Sequence, residues 1–164
     1  MYDHTRIKTA PGSLERAIEI ALMAHAGQTD KAGAPYILHP MRVMLAQTTE
    51  EARVAAVLHD VVEDGDGWTL DRLRAEGFSP EVVEAVDHLT KREEEKNDYL
   101  GFVRRAAGNA IARRVKLADI TDNLDVTRLP EITERDRERL NRYLRARVWL
   151  LASEVGTYTS EAKK

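Results

Sequence analysis

Helix-start signals recur along this chain, and the apolar residues between them fall at helical rather than alternating spacing. Ser13 precedes Leu14, Ala17, Ile18, Ala21 and Leu22, which predicts a first helix to about Ala26. A polar loop from Gly27 to Tyr36 follows, containing Gly33 and Pro35. Pro40 suits the first turn of a second helix through about Gln47. Thr49 can cap a third helix, Gly65-Asp66-Gly67 stops it, and Thr69 starts a short one through about Ala75. Ser79-Pro80-Glu81 opens the next, which carries Val82, Val83, Val86 and Leu89. The run KREEEKN at 91–97 reads as a solvated helix end or loop. Helices at about 98–107, 109–125 and 133–153 complete the series, with Pro130 breaking the chain between the last two. No strand-rich block, repeat or linker interrupts the pattern. The expectation is an all-α fold: a single compact domain over 1–164, with its core at about 13–153.

Composition narrows the class. With 164 residues, 32% charged and 43% hydrophobic, the chain is long enough for a sizeable core and reads as globular. Only 5% is aromatic, which favours helices over strands. A net charge of -3 gives no general attraction to nucleic acid, so a phosphorylated ligand would need a local basic patch. Cysteine is absent, which excludes disulfides and thiolate chemistry. The start MYDHTRIKTA lacks the apolar core of a signal peptide, and the longest apolar run, Val148 to Ala152, is too short to cross a bilayer. A cytoplasmic location is the default expectation, with no membrane partner.

The chemistry concentrates in His59-Asp60-Val61-Val62-Glu63-Asp64. If residues 51–64 form one helix, His59 stacks on Glu63 and Asp60 on Asp64, all within an arc of roughly 140° at ~100° per residue. Val54, Val57, Leu58, Val61 and Val62 occupy the opposite arc. Imidazole and carboxylate are ligands for divalent first-row metals, and nearby acids can position water. Metal ligands rarely come from one helix alone. His39, at a helix entrance before Pro40, and Asp119, within Val115-Lys116-Leu117-Ala118-Asp119, are the best distant donors. With His59 and Asp60 they make two imidazoles and two carboxylates. Asn123 lies one turn beyond Asp119 on the same face. His25 reads more simply as a hydrogen-bonded core group, and His4 and His88 as surface residues.

In order and spacing, residues 14–125 resemble the HD-domain phosphohydrolases, and most closely the hydrolase domain of the RelA/SpoT homologue family with its stand-alone small alarmone hydrolases. The resemblance rests on His25-Ala26-Gly27-Gln28, on Lys31-Ala32-Gly33-Ala34-Pro35-Tyr36-Ile37-Leu38-His39-Pro40 and on Leu58-His59-Asp60-Val61-Val62-Glu63-Asp64. It continues through Leu89-Thr90-Lys91 and Lys116-Leu117-Ala118-Asp119 with Asn123. A lone His-Asp pair would be weak evidence, whereas PYxxHP, then HDxxED, then KLADxxxN is a specific series.

The resemblance implies an all-helical fold and one Mn²⁺ held by His39, His59, Asp60 and Asp119. It implies hydrolysis of the 3′-pyrophosphate of ppGpp or pppGpp to GDP or GTP, with Glu63 and Asp64 positioning or deprotonating the water. Lys31 matches the second residue of a basic pair that would meet phosphate, and Asn123 matches a nucleotide contact. Asp30 stands where the family usually has arginine, and Asp122 where histidine is frequent. Arg139 and Tyr143, at i,i+4, align loosely with groups that hold phosphate and base. With about 40 residues beyond Asn123, no synthetase domain is expected after the hydrolase. Two alternatives stay open: another phosphorylated nucleotide such as an adenosine alarmone or NADPH, and a nucleotide-binding or antitoxin module without turnover. The oligomeric state is open, a homo-oligomer included.

Overall fold

A computed structural model describes the backbone of residues 9–161 and the side chains of residues 9–153. Among the described residues nine α-helices follow one another: α1 Leu14–Ala24, α2 Leu38–Leu45, α3 Glu50–Leu58, α4 Val61–Asp64, α5 Leu70–Ala75, α6 Pro80–Leu89, α7 Tyr99–Ala106, α8 Ala110–Asn123 and α9 Glu134–Glu161. Short 3₁₀ turns at Glu93–Glu95 and Val126–Arg128 join the later helices. The fold is all-α; among the described residues the only β feature is an isolated bridge between Thr29 and Pro35.

The starts lie where hydroxyl and amide side chains can accept the free N–H groups of a first turn. Ser13 accepts from Arg16 N–H at 3.1 Å, Thr49 from Ala52 at 3.3 Å, Thr69 from Arg72 at 3.1 Å and Ser79 from Val82 at 3.3 Å. Asn109 Oδ1 accepts from both Ile111 and Ala112 at 3.0 Å. Each such cap contributes about 1 kcal/mol.

Helix α3 is the axis of the molecule. Ala52, Val54, Ala55, Ala56, Val57 and Leu58 are buried, so its second half is enclosed on every side, by α1, α2, α6 and α8, while Glu50, Glu51 and Arg53 stay exposed. Its alanines leave room for those neighbours to approach closely. Helix α8 serves two clusters: Ala112 and Val115 join the α3 core, while Ile120 packs with Val103, Ala146 and Leu150 beneath α7 and α9. Everything the site needs from α8 is therefore anchored at both ends.

Three expectations change. Residues 51–64 are not one helix: α3 ends at Leu58, and Asp60, at φ -107° and ψ -1°, precedes a new turn. The His59 ring Nδ1–H donates to the Ala56 carbonyl at 2.7 Å, the acceptor a continuing α-helix would offer to the Asp60 N–H. Gly65 lets α4 settle against α1, since a Cβ there would lie 2.5 Å from the Val61 oxygen and 2.8 Å from Ala24 Cβ. Second, α1 buries Ala17, Ile20 and Ala21, whereas Leu22 is half exposed. Third, His88 is half-buried, its Nδ1 donating to the Arg105 carbonyl at 2.9 Å. His4 lies outside the described residues. Among those described, no helix is long and apolar enough to cross a membrane.

Candidate metal centre

The α3–α4 break aims His59 and Asp60 at the same point. With its Nδ1 proton committed to Ala56, His59 turns a bare Nε2 inward, the tautomer that a metal requires. This ring is 1% exposed, and Nε2 has no hydrogen-bond partner among the described residues. It lies 2.9 Å from Asp60 Oδ2 and 3.9 Å from Asp119 Oδ1. His39 Nε2, from the first turn of α2, sits 3.2 Å from the same Asp119 oxygen and 4.0 Å from Asp60 Oδ2. Adjacent ligands around a first-row ion at about 2.1 Å stand roughly 3.0–3.5 Å apart. The donor atoms of His39, His59 and Asp60 all lie within 4.8 Å of one another. An orphaned imidazole nitrogen among carboxylates fits a divalent cation.

Each donor is held from behind. Tyr36 O–H donates to Asp60 Oδ2. Lys116 Nζ lies 2.7 Å from Asp119 Oδ2, and Asn123 Nδ2 donates to Asp119 Oδ1 at 2.7 Å. Asp122 Oδ2 accepts the Nδ1–H of His39 at 2.7 Å. Burial works against a charge on His39, but Asp119 and Asp122 outweigh it and raise its pKa to about 9. Burial likewise opposes charge on His59, and Asp60 prevails, moving its pKa up. Burial would raise Asp119, yet Lys116 holds it well below the usual carboxylate range. Without a metal, a proton on His39 supplies positive charge to these acids.

The centre floors a cleft of about 450 Å³. Glu63 and Asp64 stand at its mouth, open to solvent. Crowding by protein and the nearby Asp60 charge raise both carboxyls. Glu63 Oε2 accepts the Lys91 N–H at 3.0 Å, which fixes its direction.

A family profile described as HD domain matches residues 17–135. The chain belongs to the HD-domain family. As an HD domain it is similar to several curated bacterial proteins. A guanosine-3′,5′-bis(diphosphate) 3′-pyrophosphohydrolase of Aquifex aeolicus is 32% identical over 121 residues, 68% of this chain and 17% of that protein. The bifunctional (p)ppGpp synthase/hydrolase SpoT of Escherichia coli is 34% identical over 122 residues, with the same two shares. A probable GTP pyrophosphokinase of Mycobacterium leprae is 45% identical over 82 residues, 48% of this chain and 10% of that protein. The chain thus spans less than a fifth of the length of these relatives.

The HD-domain cleft also has a cationic and aromatic wall. Lys31, Arg139 and Tyr143 line it, with Arg128, Arg142, Tyr99 and Phe102. Burial and then repulsion from Arg139 lower the pKa of Lys31, against a partial offset from Asp136. Arg139 Nη2 pairs with Asp136 at 2.9 Å, while its buried Nε has no hydrogen-bond partner among the described residues. Asp30 has a different job: its Oδ1 accepts from the N–H groups of Ala32 and Ala34, both at 2.9 Å, and shapes the loop that presents Lys31. Asn123 lines the cleft but spends its amide on Asp119. His25 is buried, with Nδ1 on Gln28 Oε1 at 2.9 Å and its ring 4.9 Å from Tyr36.

Sequence reading missed Tyr36, Arg42, Asp122, Arg128 and Arg142 as contributors. For two of them a signal existed. Arg42 follows His39 by three residues and Asp122 follows Asp119 by three, so each helix carries a second polar group one turn beyond its metal donor.

Proposed function

We propose that the chain is a cytoplasmic, Mn²⁺-dependent hydrolase that removes the 3′-pyrophosphate of guanosine alarmones, turning ppGpp or pppGpp into GDP or GTP, with residues 13–153 as its single working domain. The observation that carries this reading is the bare, buried His59 Nε2 beside two carboxylates, in a cleft that Lys31 and Arg139 also line. Likeness to proteins named as ppGpp 3′-pyrophosphohydrolases supports the choice of substrate. His39, His59, Asp60 and Asp119 would hold the ion. When bound, a divalent ion supplies Lewis acidity to phosphate and acidifies water.

The protein's own groups do the rest. Glu63, aimed by the Lys91 N–H, accepts a proton from the attacking water, and burial, which moves its pKa up, makes it a stronger base for that step. Asp64 orients that water. The water oxygen joins the phosphorus on the ribose 3′ oxygen, that P–O bond breaks, and the 3′ oxygen takes up a proton as pyrophosphate leaves. Lys31 and Arg139 bind phosphate, Tyr143 packs on the base, and Asn123 meets the nucleotide while steadying Asp119. Incubating Mn²⁺-loaded protein with ppGpp should yield GDP and pyrophosphate in equal amounts. Absence of both from metal-loaded protein overturns the reading.

Asp30 favours one rival. An acid bound to its own loop cannot meet phosphate as the family arginine would, so another phosphorylated nucleotide, an adenosine alarmone or NADPH, is the second reading. Specificity constants measured side by side decide between them; a large preference for guanosine 3′-diphosphates removes the rival.

A further inference from the structure

Behind His39 lies an ion-pair cluster that the proposed reaction does not use directly. Asp122 faces three cationic or donor groups at once. Arg42 Nε and Nη2 meet its Oδ1 and Oδ2 at 2.6 and 3.0 Å, a two-pronged grip that fixes the carboxylate plane. Arg128 Nη1 meets Oδ1 at 3.2 Å, and its Nη2 donates to the Asp122 backbone carbonyl at 2.7 Å. What is left of Oδ2 accepts the His39 Nδ1–H at 2.7 Å. Asp125 sits 3.5 Å from Arg128, so two guanidiniums balance two carboxylates and no net charge is added beside the centre.

The register of two helices creates this cluster. On α2, His39 and Arg42 are three residues apart; on α8, so are Asp119 and Asp122. The helices pack together, which sets His39 against Asp119 and Arg42 against Asp122 as parallel rungs, with the His39–Asp122 bond as the diagonal. A surface ion pair would be worth little in such a place. Here the side chain of Asp122 is only 11% exposed, and its geometry is over-determined. The partner of a ligating imidazole's second nitrogen decides which nitrogen is free and how the ring is turned.

We propose that Asp122, locked by Arg42 and Arg128, is a positioning residue for the metal centre: it holds His39 as the Nδ1–H tautomer with Nε2 directed at the ion. The centre itself rests on the function proposed above, so the test separates the two. Nitrogen-15 NMR of the metal-free protein reads the His39 Nδ1 proton and its protection from exchange without any metal, and Mn²⁺ titration followed by the EPR signal of the free ion reads affinity.

In wild type, His39 should show a protected Nδ1 proton. In Asp122→Ala that proton should lose protection while the His59 Nδ1–H bonded to Ala56 keeps it, and Mn²⁺ affinity should fall roughly 10- to 100-fold. Asp122→Asn keeps an acceptor without the charge and should recover part of the loss. Arg42→Gln frees the carboxylate while leaving it in place, and should weaken Mn²⁺ less than Asp122→Ala; it also serves if the alanine variant fails to fold. An unchanged His39 signal in the Asp122 variants, or Mn²⁺ affinity within twofold of wild type, overturns the positioning role. A wild type that binds no Mn²⁺ while its His39 proton still depends on Asp122 overturns the metal reading and limits Asp122 to fixing the ring.

Discussion

The two sides of the cleft are built on opposite principles. On the floor, His39, His59, Asp60 and Asp119 are buried or nearly so, and each is tied by at least one further residue: Asp122, the Ala56 carbonyl, Tyr36, Lys116 or Asn123. On the wall, Lys31 and Arg142 are exposed, and Arg139 keeps an unbonded Nε. The floor tolerates one arrangement and one kind of occupant, a compact cation. The wall is a set of charges with unspent hydrogen bonds that can accommodate a flexible polyanion. Chemistry is thus concentrated where the structure is tightest, and recognition where side chains can still adjust.

The sharpest way to break this contrast is at Asp119. Asp119→Ala leaves Lys116 buried without its partner, and urea unfolding of the metal-free protein should show a loss of about 3–5 kcal/mol. A loss below 1 kcal/mol would mean that the floor is as forgiving as the wall. Next comes Glu63→Gln, which removes the base but keeps an oxygen for the Lys91 N–H. Turnover should drop about 10²- to 10⁴-fold, with Mn²⁺ affinity, read by calorimetry, nearly unchanged.

Acidity sharpens the comparison further. The pKa of His39 is raised to about 9 in the metal-free fold, from an ordinary value near 6.5. Its proton therefore stabilises the metal-free protein fully below about pH 6.5, and that contribution is lost as pH rises through 9. A metal must displace the same proton, so Mn²⁺ affinity should climb steadily from pH 6.5 to 9. Flat affinity across that window would show that the floor carries no proton to displace.

The wall gives smaller effects. Arg139→Ala should raise KM about tenfold with kcat within a fewfold, as expected when one charge-assisted bond to substrate is lost from a partly open site. The smallest effect belongs to Lys96→Ala: its pair with Glu93 is exposed on both sides, and thermal unfolding should move by less than about 0.5 kcal/mol.

Local chemistry made most of the architecture legible. Thr49 and Ser79 mark helix starts through hydrogen bonds that reach only three residues ahead, which is why a linear reading finds them. His59 and Asp60 were visible as neighbours. The turn between them was not, because it depends on an imidazole bonding to its own helix and on a close passage of Gly65 over Ala24. Leu22 shows the limit of periodicity: it falls at helical spacing yet lies off the face that α3 covers. Asp122 was harder still. Its three-residue spacing from Asp119 marks a second polar group on α8, but its partners His39 and Arg42 lie 83 and 80 residues away, and that spacing does not say which helix they come from.

The loop that presents Lys31 is already closed before any ligand arrives. Asp30 bonds to Ala32 and Ala34 through its side chain, Asp30 N–H reaches the Ala34 carbonyl at 2.8 Å, and Tyr36 N–H reaches Gln28 at 2.9 Å. Capture of a phosphate there freezes one lysine side chain rather than a stretch of backbone, whose immobilisation would cost about 1–2 kcal/mol for every residue. Association at this hairpin should therefore proceed by simple collision, free of a slow folding phase and only weakly curved with temperature.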